Sequence, residues 1–363
     1  MLRNSKVHYL SSELYPILSM HFGKSMNLAR IKAMSLVISA LCKVQRVAYT
    51  KLASAFDTEA TAGSSLRIIQ CLIAECVIDK DLIAKLILKL IPVKVHYDLA
   101  MDRTNWKYSD TNINILTIGI IYDGMAFPVV YTMIDKRVNS NTQERIDLVN
   151  RFKRIAGEDS IAHLMADREF VGNKWLGYLN ACGIQYHLRI RENFYVSRHG
   201  NTFKAYWLLN DLRLGESKHL EGIYYVNGHA CYPSGSKIKD KDGKPELQIL
   251  VSYCNAKAIE MYRKRWQVEA LFKGLKFCGF DIESLHVRDR GRMSNLLSII
   301  MIAYVWCYLV GIIIHKNIKP IKVMKHGRRA VSLFKYGLNY ISQCLMNHTD
   351  PYRINVFKFL SYT

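Results

Sequence analysis

Several signatures are missing from this chain, and each absence removes a class of function. Its nine cysteines (positions 42, 71, 76, 182, 231, 254, 278, 307 and 344) form no Cys-x-x-Cys pair and are odd in number. That argues against a zinc ribbon and a disulfide framework, and fits reduced thiols in a cytoplasmic protein. No Gly-rich phosphate loop or dinucleotide fingerprint occurs, so a nucleotide cofactor has no support. His96 and His163 have no His-x-x-His or comparable cluster around them to make a transition-metal site. No internal repeat and no low-complexity run is present. The first residues, "MLRNSKVHYLSSELYPIL", lack an apolar stretch followed by a small-residue cleavage site, which argues against export. Acids are scarce: 30 Asp and Glu stand against 51 Lys and Arg, a formal net charge of +21. The excess is spread along the chain. It points to a polyanionic partner across a long basic surface, nucleic acid ahead of an anionic membrane.

What is present fits a chain of 363 residues, half of them apolar, with enough core for two or three domains. Residues 1–92 read as a helical domain. "NLARIKAMSLVISALCKV" is apolar and periodic, and "SSLRIIQCLIAECV" starts after Gly63 with Ser at its N-cap. With "AYTKLASAF" between them, the short helices have the outline of a helix-turn-helix-like DNA reader. Near residue 93 the period changes. "VKVHYDLAMD" predicts a strand ending at Asp102, and two β-rich runs around Asp123-Gly124 predict a hairpin. Asn141 with Glu144 marks a helix start and Gly157 its stop. "SIAHLMAD" predicts a strand ending at Asp167, followed by a helix, a further strand at "IQYHLRI", a β-rich insertion over about 193–247, and a returning strand at "LQILVSYC". The order describes an α/β fold: a ribonuclease-H-like mixed sheet over residues 93–315, preceded by a helical domain and followed by a basic helical region, 316–363. Residues 296–314 are 19 uncharged residues, long enough to span a bilayer, but basic residues flank both ends. A central buried helix is the better reading of so basic a chain.

The acids that carry chemistry are Asp102 and Asp167, each placed where a predicted strand ends, and Glu269. Glu269 is the single carboxylate of "YRKRWQVEALFKGLK" (262–276), which holds five Lys or Arg. At about 100° per residue, Tyr262, Arg265, Glu269 and Lys276 share one face of a helix, Lys273 and Trp266 lie beside them, and Val268, Leu271, Phe272 and Leu275 fill the apolar side. Three carboxylates converging at one end of a sheet could hold two Mg²⁺ ions for an in-line phosphoryl displacement. Asp98 is a rival ligand, on the same strand face as Asp102 by the two-residue period. A lone Asp at a strand end is more often a turn residue, and Trp106 and Trp175 read as packing residues.

"MDRTNW" around Asp102, "ADREF" around Asp167 and the spacing Tyr262-x2-Arg265-x3-Glu269-x6-Lys276 together resemble the DDE transposases of the IS4 family of insertion sequences, whose Tyr-Arg-Glu-Lys signature is complete here. The resemblance extends over residues 35–340 in the order of elements. It implies a metal-binding catalytic triad of Asp102, Asp167 and Glu269 working with Mg²⁺ or Mn²⁺. It also implies that Tyr262, Arg265 and Lys276 hold transposon-end phosphates, with Lys273, Arg103 and Arg168 as further DNA contacts; an ion pair within the fold is an equal reading of the last two. The implied activity is cut-and-paste transposition: hydrolysis at terminal inverted repeats, then attack of the freed 3′-hydroxyl on target DNA. The implied partners are double-stranded DNA and a second copy of the chain in the synaptic complex. The implied setting is a bacterial cytoplasm, on the nucleoid, with 296–314 buried and no membrane. Trp207, Tyr224, Tyr225 and Tyr232 are the aromatics of the insertion available to hold a flipped base. The alternatives are another ribonuclease-H-like nuclease, such as a junction resolvase, and an inactive relative that binds the repeats and represses.

Overall fold

The computed structural model describes residues 4–360 apart from 94, 109–110, 135–138, 241, 255–256, 285–286 and 326. The chain divides into two compact units, one made of 93–105 and 112–271, the other of 1–92, 106–111 and 272–363.

The first unit is built on a mixed sheet. Its strands are β1 (Tyr97–Tyr108), β2 (Thr111–Tyr122), β3 (Met125–Met133), β4 (Ile161–Ala166), β5 (Tyr186–Ile190), β6 (Tyr195–Arg198), β7 (Asn201–Lys204), β8 (Ser217–His219), β9 (Tyr224–Val226), β10 (His229–Lys239) and β11 (Pro245–Ser252). The spatial order is β3-β2-β1-β4-β5-β11-β10-β9-β6-β7, with β8 beside β10. β1, β4 and β5 run parallel, while β11 returns antiparallel to β5. This is the α/β arrangement expected from the sequence, a ribonuclease-H-like sheet carrying a β-rich insertion. Asp123 and Gly124 turn the β2–β3 hairpin with φ of 52° and 87°, the left-handed pair that a two-residue turn demands. β3 lies at the sheet edge, the position in a sheet where a proline such as Pro128 is tolerated.

Two helices close the parallel crossovers of this unit. α6 (Thr142–Ala156) follows β3 and begins with the capping box of Asn141 and Glu144. Its C-cap residue is Gly157, as the sequence indicates. α7 (Asn173–Ala181) connects β4 to β5.

The second unit is helical. It holds α1 (Asn4–Phe22), α2 (Leu28–Val44), α3 (Tyr49–Ser54), α4 (Ala62–Glu75), α5 (Lys80–Leu90), α10 (Arg290–Asn317) and α11 (Leu333–Asn347). The cap of α4 is Thr61, one turn earlier than the Ser expected from sequence, because its hydroxyl reaches Ser64 N–H. α10 contains the long uncharged run and is buried along nearly its whole length, the core helix of this unit. It crosses α11 backbone to backbone at Gly311 and Gly337. A Cβ on Gly337 would collide with the Cys307 carbonyl, and one on Gly311 with the Leu333 carbonyl. All nine cysteines are free thiols.

Candidate active site

β1 and β4 are parallel neighbours with Met101 opposite Ala166. The residue after each is an aspartate, so Asp102, within β1, and Asp167, just past the end of β4, fall side by side. Each carboxylate accepts a bond from the following backbone N–H, Arg103 at 2.7 Å and Arg168 at 2.8 Å. β4 ends at Ala166, but β1 does not end at Asp102 as expected; it continues to Tyr108. The polar letters Asp-Arg-Thr-Asn hide a strand whose inward side chains, Thr104 and Trp106, are still buried.

The turn after Asp167 is held from below by Arg145 of α6. Its guanidinium donates to the Glu169 carbonyl at 3.0 Å and the Ser140 hydroxyl at 2.9 Å, and lies 5.1 Å from the centre of the buried Phe170 ring. Nothing in the sequence pattern marks this buried cation. Arg103 is similarly committed, making a two-pronged pair with Glu169 at 3.1 Å and bonds to Asn114 and Asn139. Of the two readings open for Arg103, the fold uses the ion pair. Arg168 is exposed.

The stretch 262–276 is not the single helix expected. α8 (Ala258–Arg263) stops, Lys264 and Arg265 form a tight turn, and α9 (Trp266–Lys273) resumes before a π-helical turn at Gly274–Cys278. Two residues of the predicted stripe nonetheless meet the aspartates, and one of them carries Glu269 to the same place. The Tyr262 hydroxyl donates to Asp167 Oδ1 at 3.2 Å. Arg265 donates through Nη1 to Asp102 Oδ2 at 3.3 Å and through Nη2 to Glu269 Oε1, bridging the two acids. Burial pushes the Asp102 carboxyl up to about 7. Arg265 and the Arg103 N–H oppose that rise, and Glu269 and Asp167 add to it. Burial, with Asp167 adding, also raises the Tyr262 phenol well above its ordinary value, so it is a donor at neutral pH.

The donor set suits a hard divalent cation: three carboxylates, all-oxygen ligands, one of them with its proton affinity raised mainly by burial and further by the other two. Among the described residues no three acidic, His or Cys side chains close around a common point. Arg265 stands where their charges are balanced, with only 12% of its side chain exposed. The rival Asp98 is engaged by Lys264 at 2.8 Å.

Lys276 pairs with Glu283 at 2.9 Å and has its ammonium 5.2 Å from the centre of the Trp106 ring. Lys273 is exposed. Trp175 is fully buried, as its packing reading requires. Of the four aromatics named in the insertion, Trp207 and Tyr225 are exposed. Tyr232 is half-buried, and Tyr224 is buried with its hydroxyl accepting from Arg198 at 2.7 Å. A polar row that has no signature in the sequence crosses the sheet. His163 of β4 stacks on His187 of β5 with ring nitrogens 3.1 Å apart, and His187 Nδ1 lies 2.9 Å from the Ser252 hydroxyl of β11. His96 lies outside it, with Nδ1 3.1 Å from the Asp159 carbonyl.

Residues 92–306, more than half of the chain, match the family described as the transposase DDE domain. No curated protein matches the chain. Among solved structures, the chain is similar to a piggyBac transposase in a cryo-EM synaptic complex with hairpin DNA, with 14% identity and a TM-score of 0.50 over 98% of this chain and 83% of that one. At that identity the likeness is one of fold.

Proposed function

This chain belongs to the transposase DDE domain family, and from that premise we propose that it is an insertion-sequence transposase of the IS4 type, cutting and joining DNA at terminal inverted repeats. One observation carries the reading: of the aspartates side by side on β1 and just past β4, Asp102 is joined to Glu269 through Arg265 and Asp167 is bonded by Tyr262, all signature residues. A junction resolvase would need the acids but has no use for that signature. Asp102, Asp167 and Glu269 would hold Mg²⁺ or Mn²⁺, which supplies Lewis acidity to the scissile phosphate and a water of lowered pKa. Tyr262 orients the Asp167 carboxylate by its hydrogen bond. Arg265, which now balances Asp102 and Glu269, would be free to meet a phosphate oxygen were a cation to hold those acids instead. Lys276, Lys273 and the exposed Arg168 extend the phosphate contacts, while Arg103 fixes the turn of Glu169. The helical region 1–92 reads the repeats, 93–315 is the catalytic core and 316–363 a basic helical region. Two copies join the two ends; in the similar piggyBac complex the protein is bound to hairpin DNA in a synaptic complex.

The test is cleavage of labelled DNA carrying the element's inverted repeats, with and without Mg²⁺, by the wild type and Asp167→Asn. Metal-dependent cuts at the repeat ends that vanish in the variant establish the reading. Binding without cutting in both proteins would make the chain a repressor of transposition instead.

A further inference from the structure

Between Asp289 and Asp350 the sequence contains no Asp or Glu, yet it contains nine Lys and Arg. Six of these fall in 316–329: Lys316, Lys319, Lys322, Lys325, Arg328 and Arg329. In the helical unit the described residues of this stretch leave the last turn of α10 and form a tongue before α11. Its base is fixed. Lys319 N–H donates to the Ile314 carbonyl at 2.8 Å, Ile321 is buried and donates its N–H to His315 Nδ1 at 2.8 Å, and the Tyr336 hydroxyl donates to the Lys319 carbonyl at 3.0 Å. Beyond the base it folds back on itself. Val323 pairs antiparallel with Arg329, Ala330 N–H reaches the Lys322 carbonyl and Met324 N–H the Arg328 carbonyl, each at 2.8 Å, around Gly327 with φ of 77°.

We propose that residues 316–332 are a DNA-binding hairpin that grips the phosphates of duplex DNA without reading its sequence. Three observations carry this. The described side chains of the tongue are exposed, Ile321 apart. Among the described residues, none of Lys319, Lys322, Lys325 and Arg329 pairs with a carboxylate, so their charge is not spent within the fold. The backbone is held by its own hydrogen bonds, so little ordering entropy is lost when a ligand is gripped. A narrow two-stranded ribbon also has dimensions that a DNA groove admits. Duplex DNA is favoured over an anionic membrane because the segment has no Trp, Tyr or Phe, the side chains that seat a peptide at a lipid interface. The choice of duplex DNA as the polyanion rests on the transposase reading; the charge argument does not.

The experiment uses the full-length protein and a fluorescent duplex of unrelated sequence, without repeats and with EDTA. Anisotropy is followed from 50 to 300 mM salt for the wild type, for K322Q/K325Q/R329Q, and for a control lacking three exposed lysines of the other unit, K174Q/K204Q/K244Q. The tongue variant should lose about 2.7 units of slope in log K against log salt, and on the order of 10²-fold in affinity near 150 mM. The control should lose less than about one unit. K322R/K325R/R329K, which keeps charge and fold, should retain the wild-type slope. Equal losses in the tongue and control variants would overturn the proposal. So would an unchanged slope for duplex accompanied by lost binding to phosphatidylserine vesicles. Because no metal or cleavage enters the assay, failure of repeat-end cutting would sink the transposase reading and leave this result standing.

Discussion

Cations serve opposite purposes in two parts of this molecule. At the end of the parallel strands Arg265 is largely buried and joined to Asp102 and Glu269, and Arg103 is locked to Glu169. In the tongue 316–332 the lysines and Arg329 face solvent in a stretch without a single acid. Both stretches look alike as letters, short and rich in Lys and Arg. The difference shows that a net charge of +21 is not a uniform coat. Part of it neutralises acids that would otherwise repel one another, and part is left available to a polyanion.

The sharpest break between the two regions should appear in activity. Glu269→Gln is expected to lower metal-dependent cutting of repeat-end DNA on the order of 10³-fold while leaving DNA affinity close to wild type. The tongue variant K322Q/K325Q/R329Q should do the reverse, binding weakly yet cutting at the normal rate once low salt restores occupancy. If Glu269→Gln loses binding as much as the tongue variant does, the acid is part of the DNA grip and the contrast collapses.

Next in size is Arg265→Ala. With Arg265 gone, Asp102 and its neighbours face one another without their counter-charge. Stability of the metal-free protein should fall by about 3 kcal/mol in urea denaturation. Millimolar Mg²⁺ should then raise the melting temperature more in the variant than in the wild type, because a cation bound only by the folded state stabilises it. An equal Mg²⁺ response in both proteins would mean that Arg265 and the cation do not compete.

Much of this was readable in advance where the physics is local. The Asp123-Gly124 turn, the Asn141–Glu144 box and the Gly157 stop depend on neighbouring residues alone, and so did the buried apolar run of α10. Tyr262, Arg265 and Glu269 could be paired by spacing because a helical face survives one irregular turn. The break at Lys264 and Arg265 could not, since Lys264 is drawn to Asp98, a residue 166 positions away. The continuation of β1 past Asp102 was equally hidden: its polar residues are paid for by partners such as Glu169, Asn114 and Asn139 that only the folded sheet supplies. The His163–His187–Ser252 row requires the strand order β4-β5-β11, which no single-sequence period reveals.

That row gives the smallest effect and one visible only through pH. Burial, helped by the neighbouring charges of His163 and Lys264, lowers the His187 imidazole to about 4. His163 is also lowered by burial, with Asp98 working against the shift and Lys264 adding to it. Both imidazoles are therefore neutral in the fold at pH 7. Below about 6.5 the unfolded chain takes up protons that folded His187 refuses, so stability falls with pH from there until folded His187 also protonates near 4. The shift of 6.5 − 4 corresponds to about 3 kcal/mol at most, and part of it is offset by other titrating groups. In His187→Gln the stability at pH 7 should drop by about 1 kcal/mol for the hydrogen bonds lost. The difference in stability between pH 7 and pH 5 should then shrink relative to wild type, while the salt slope for duplex DNA stays unchanged. A wild-type pH dependence in His187→Gln would mean that the buried histidine pair is not what makes this sheet acid-sensitive.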